Sequence, residues 1–138
     1  MQANQFMVGD WVDIFPTVCQ ILSIGKKGRI YTTEVSNYKV ETYDIGVFIR
    51  EEMLHLNGFR KYKDPDGEVT YLNETKDKLF ELDAYKEGDC WRFRIQRGPE
   101  AHVSIKAKYV HQLQHAMRLM GLLELANNFK VQEEVTNE

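Results

Sequence analysis

His111 and His115 stand four residues apart, the spacing that puts two imidazoles on one face of a helix and suits a metal ion. Zinc hydrolases of that pattern also carry a Glu directly after the first His as general base, and here Gln112 takes that place. Neither His55, His102 nor any carboxylate offers a third ligand at a recognisable spacing. No metal and no cofactor is expected. Nucleophilic chemistry has no better support, because no Ser or Cys lies in a strand-turn-helix elbow and neither Cys19 nor Cys90 has a local His partner. The carboxylate pairs Glu51-Glu52 and Glu133-Glu134 are sequence neighbours, which point to different sides of a helix and make no acid-base couple. Gly25-Lys26-Lys27-Gly28 could cradle a phosphate, but it lacks the Walker spacing and sits between strands, so it reads as a hairpin turn. These residues point to a protein that is not an enzyme.

One stretch does suggest a ligand. In Cys90-Trp91-Arg92-Phe93-Arg94-Ile95-Gln96 and His102-Val103-Ser104-Ile105-Lys106, strand alternation sends Trp91, Phe93 and Ile95 to one face with Val103 and Ile105. Arg92, Arg94 and Gln96 go to the other with His102, Ser104 and Lys106. Matching the faces pairs 95 with 103 and 93 with 105 and leaves Gly98-Pro99-Glu100 as the loop. Residues 86 to 118 hold seven Lys or Arg against three acids, a net of +4 in a chain of −3. Arg recognises phosphate and carboxylate in a planar, bidentate way, so this face is a candidate anion site. The helix that follows brings Tyr109, His111, Gln112 and His115 toward it. The expected ligand-binding set is therefore Arg92, Arg94, His102, Lys106, Tyr109, His111, Gln112 and His115.

The elements that must position these residues read as an α+β fold. Asp10 to Phe15, Thr17 to Ile24, Arg29 to Val35 and Tyr38 to Tyr43 are short β-rich runs, a meander that could curl into a small barrel-like sheet. Helical spacing begins at Ile49, with Asn57-Gly58 as the stop, and predicts a short central helix over 49–57. Phe59 to Tyr62, the turn Asp64-Pro65-Asp66-Gly67 and Glu68 to Leu72 form a hairpin. Lys78 to Ala84, Asp89 to Arg97 and His102 to Ala107 complete a second antiparallel set. From Tyr109, apolar residues at helical spacing predict an amphipathic helix closed by Gly121, with 122–129 continuing it or folding back. A single domain over 1–129 and a frayed acidic tail over 130–138 follow.

With 138 residues and 43% hydrophobic side chains, the chain suits one self-sufficient core. A net charge of −3 and a pI near 5.8 argue against a general nucleic-acid binder. No signal-peptide or membrane-spanning window appears, and two isolated, packed thiols fit a reducing compartment, so a cytoplasmic address is expected. Short strands leave edges that need cover, which favours a homo-oligomer.

Three motifs carry a resemblance: Val8-Gly9-Asp10-Trp11-Val12, the run Ile49-Arg50-Glu51-Glu52-Met53-Leu54 to Asn57-Gly58-Phe59, and the hexapeptide Tyr109-Val110-His111-Gln112-Leu113-Gln114. Together they resemble an uncharacterised family of small phage, prophage and mobile-element proteins of Bacteroides-type bacteria, whose members end in a Tyr-Val-His-Gln-Leu-Gln helix closed by Gly. After Gln114 this chain departs, with His115-Ala116-Met117-Arg118-Leu119-Met120 in place of a more aromatic continuation. The resemblance implies no activity. In that setting the expected function is sequestration of an anionic nucleotide signal to counter host defence, without catalysis. The alternative is a protein-protein interaction module, docking through a helix or a sheet edge, or a weak nucleic-acid binder.

Overall fold

The computed structural model describes residues 6–14, 17–24, 30–33, 37–39, 46–76, 78–99 and 101–132. Two open antiparallel sheets follow one another along the chain, and three helices accompany them. The smaller sheet runs in sequence order through β1 (Trp11–Ile14), β2 (Thr17–Ile24), β3 (Ile30–Thr33) and β4 (Asn37–Lys39). The larger is a five-stranded meander of β5 (Arg60–Lys63), β6 (Val69–Glu74), β7 (Phe80–Glu87), β8 (Cys90–Arg97) and β9 (Ala101–Ala107). Among the described residues neither closes into a barrel. Residues 40–43, the expected remainder of the fourth strand, and the Gly25 to Gly28 turn lie outside the described residues.

Alternation decides which face of the large sheet is buried. Phe80, Leu82 and Ala84 of β7 and Trp91, Phe93 and Ile95 of β8 point inward, while the residues between them stay partly or fully exposed. The register between β8 and β9 pairs Ile95 with Val103 and Phe93 with Ile105, as face matching requires, and Arg97 with Ala101 across the loop. Against this inner face pack α1 (Glu51–Leu56), α2 (Val110–Leu119) and α3 (Leu123–Asn127), through Met53 and Leu54, Val110, Leu113 and Met117, and Ala126.

Both longer-range stops are glycine motifs. Gly121 has φ +91°, its N–H donates to Arg118 O at 3.0 Å, and the Leu122 N–H donates to Met117 O at 2.8 Å. Gly58, at φ +89°, ends α1 the same way, with the Phe59 N–H on Leu54 O at 2.9 Å. After α2 the chain folds back into α3 instead of extending the helix, because left-handed Gly121 turns it. The tail also begins later than the composition suggests. Val131 is buried in the core, and the Asn57 side chain both donates to Lys130 O (2.7 Å) and accepts from Lys130 N–H (2.8 Å). An acidic, polar sequence hid a two-point backbone clamp; residues 133–138 lie outside the described ones.

Candidate functional site

The eight expected ligand-binding residues fall into two groups on opposite sides of the large sheet. Arg92, Arg94, His102 and Lys106 project from the outer face, on which β7, β8 and β9 bury no side chain. Strand pairing sets Asp83 of β7 beside Arg94, and Arg94 Nη2 donates to Asp83 Oδ2 at 2.6 Å. Glu87 takes Arg92 Nε at 3.1 Å and stands 3.7 Å from Lys106 Nζ. The Arg92 guanidinium beside Glu87 holds its carboxyl below the usual carboxylate range, and Glu87 in turn raises Arg92. The arginines of this face are already engaged in ion pairs. His102 is exposed and makes no ion pair among the described residues.

The other four belong to α2. Gln112 is a capping residue, its Oε1 accepting from the N–H groups of Lys108 (2.8 Å) and Tyr109 (3.0 Å). Tyr109, His111 and Phe6 form a row of rings with centroids 5.7 and 4.3 Å apart. His115 lies edge-on to His111 at 5.7 Å, but its Nε2 faces Asp10 Oδ2 at 2.6 Å. A carboxylate only accepts, so that nitrogen carries the proton and is not presented to a metal.

Asp10 is the centre of a fastener. It is fully buried, and its Oδ1 accepts from Arg118 Nη1 at 2.5 Å while Oδ2 accepts from His115 and from the Met7 N–H at 2.7 Å. Beside it the buried Gln114 amide accepts from Trp11 N–H (3.1 Å) and donates to Gly9 O (2.9 Å) and Ala126 O (2.8 Å). Trp11 Nε1 donates to Phe129 O at 2.6 Å. The motif around Asp10 and the late helix motif, more than 100 residues apart in sequence, thus lock onto each other. Asp10 itself is fully buried with both carboxylate oxygens occupied, so it is not presented to a substrate. Its role is to hold β1 on α2.

A third grouping escaped the sequence reading. Between α1 and the inner face at the β5 to β8 end lies a cleft of about 520 Å³. Its floor is Tyr71 and Trp91, packed edge to face at 5.6 Å, and its walls carry Arg50, Lys61 and Lys86. Glu51 is consumed internally: the Tyr71 hydroxyl donates to its Oε1 in a very short hydrogen bond, and Lys61 Nζ lies 3.3 Å away. Those bonds, Tyr71 first, hold the Glu51 carboxyl below its ordinary value, while burial and then Glu51 push the Tyr71 phenol up to about 12. Lys86 Nζ stands 5.0 Å above the Trp91 ring, and neither it nor Arg50 pairs with a carboxylate among the described residues. Glu52 is the other acid of the cleft. Strand parity was the available signal, since Lys86 follows Phe80, Leu82 and Ala84 on the inward side and faces Trp91.

Among the described residues, no three or more His, Cys, Asp or Glu side chains gather as metal ligands, and no helix is long and apolar enough to cross a membrane. Compared with family models, with curated proteins and with solved structures, the chain matches none.

Proposed function

We propose that this chain is a non-enzymatic binding protein for a small organic anion, seated in the α1 cleft and not on the Arg92 and Arg94 face. The observation that carries the reading is Lys86, a cation standing on the Trp91 ring across a cleft from Arg50, with no carboxylate paired to either among the described residues. Lys63, paired in register with Val69, adds another positive charge on the same side. Like charges grouped on one face repel, and an anion among them relieves that repulsion. At about 520 Å³ the space suits a ligand of metabolite size, for which pockets run from roughly 300 to 1,000 Å³. A phosphate or carboxylate head between Lys86 and Arg50 leaves an apolar or planar body over Val69 and the aromatic edges. Nucleotides are one member of that class. The outer-face arginines are the poorer candidates, because a ligand there must displace Asp83 and Glu87 from ion pairs already made.

The test uses the two indole N–H signals of the full chain, one from Trp11 and one from Trp91, in a ¹H-¹⁵N titration with phenyl phosphate, AMP and inorganic phosphate. The expected result is a saturable shift of the Trp91 signal with the first two and a weaker response to inorganic phosphate. Lys86→Ala and Arg50→Ala should each lower the affinity at least fivefold and Arg92→Ala should not. A Trp91 signal that stays put at millimolar phenyl phosphate and AMP, or an affinity that ignores Lys86 and Arg50, overturns the reading.

A further inference from the structure

The large sheet ends on two edges of different character. β5 is short and guarded: four residues, three of them basic, running into Asp64-Pro65. β9 is seven residues long, without Pro, Gly or bulge, and pairs continuously with β8 from Trp91 to Arg97. Along Ala101–Ala107 its other edge has no backbone hydrogen bond among the described residues. Val103 and Ile105, on the inner face, are only half-buried. An edge this long and regular, lacking protection, is a template for another strand.

The chain already uses the line of this edge. Just past β9, residues 47–49 lie antiparallel to 108–110, with Ile49 N–H donating to Lys108 O at 3.0 Å, Val110 N–H to Val47 O at 2.8 Å and a bridge between Phe48 and Tyr109. The chain then turns into α1, and among the described residues no strand covers β9. Charge selects what fits beside it. Neither β8 nor β9 contains an Asp or Glu, whereas they hold Arg92, Arg94, Arg97, His102 and Lys106, and Lys108 follows. Glu87 of β7 stands 3.7 Å from Lys106 Nζ and Asp89, in the turn before β8, 3.8 Å from Lys108 Nζ; both pairs are solvent-exposed and weak, and β8 and β9 still hold more cations than these acids offset. A second copy of β9 would bring cationic against cationic strand. We infer that the β9 edge captures an extended segment of a partner protein in which acidic and apolar residues alternate. Its acids lie beside His102 and Lys106, and its apolar side chains cover Val103 and Ile105.

This surface is separate from the α1 cleft, so the two readings stand or fall independently. The experiment takes the full chain at pH 7 with a seven-residue peptide alternating Glu and Val, the same peptide with Lys for Glu, and a peptide of equal composition with its Glu residues in one block. The alternating Glu peptide should slow hydrogen exchange of β9 amides and lose affinity as salt rises, and the other two should bind at least tenfold more weakly. In the variant His102→Glu with Lys106→Glu, the preference should reverse toward the Lys peptide, with both indole signals showing the fold retained. Equal binding of Glu and Lys peptides, protection on β5 in place of β9, or β9 protected in the peptide-free chain by self-association overturns the proposal.

Discussion

Asp10 and Arg94 both take part in ion pairs, yet their environments assign them different weights. Asp10 is sealed from water and holds an Arg, a His and a backbone N–H, so Asp10→Asn strands a buried guanidinium and should cost about 3–5 kcal/mol. Arg94 is half exposed, and Arg94→Ala should cost only about 0–1 kcal/mol. Guanidinium unfolding of both variants checks the contrast; equal losses would show that Asp10 is not the fastener. Tyr71 gives a pH signature. Its phenol is raised from 10 to about 12, so the folded state retains the proton longer than the unfolded chain does. The stability this confers is complete below pH 10 and disappears as pH rises toward about 12. The gap in denaturation midpoint between wild type and Tyr71→Phe should therefore narrow between about pH 10 and about pH 12; a constant gap would mean that the proton is not linked to folding. At this scale the sequence disclosed side-chain direction but not partners. Alternation put Arg92 and Arg94 on one face, while the acids that engage them sit at Asp83, outside the cationic window, and at Glu87, whose reach to Arg92 no spacing rule reveals.

Elements were read more securely than residues because their signals are local. The register of β8 on β9 follows from side-chain parity alone, and β2 occupies Thr17–Ile24 as its apolar run indicates. What parity cannot reveal is where a chain doubles back, and α3 and the Asn57 clamp on Lys130 both depend on contacts between distant segments. Glycines at the turns allow a graded test. At Gly121 an added Cβ meets only Arg97 Nη1 at 3.8 Å, so Gly121→Ala should cost the left-handed strain alone, about 1–2 kcal/mol. At Gly9, with φ +90°, the same Cβ lies 3.0 Å from Arg118 Nη2 and 3.1 Å from Asn127 Oδ1. Gly9→Ala adds crowding of the fastener to the strain and should cost more than Gly121→Ala. Thermal unfolding of the two variants side by side measures the difference, and the reverse order would contradict the packing around Asp10.

For the molecule as a whole, each sheet carries its own reporter, Trp11 in β1 and Trp91 in β8. The Asp10 cluster and the Trp11 bond to Phe129 O tie the small sheet to the helices that cover the large one. The two indole signals of the wild type should thus disappear at one denaturant midpoint, and in Asp10→Asn the Trp11 signal should go first. Two separate midpoints in the wild type would show that the sheets unfold independently. This coupling was the least legible feature in the sequence, since nothing local marks Asp10 and Arg118 as partners across 108 positions. The same separation has a consequence in biosynthesis. At roughly 5–20 residues per second, a ribosome needs about 5 to 20 seconds to pass from Asp10 to Arg118. Until that interval is over the carboxylate of Asp10 is unanswered, and the strands that have left the ribosome are fastened only when α2 follows them out. A nascent chain stalled before Arg118 therefore exposes an unlocked small sheet to proteases and chaperones, and only the arrival of α2 closes it.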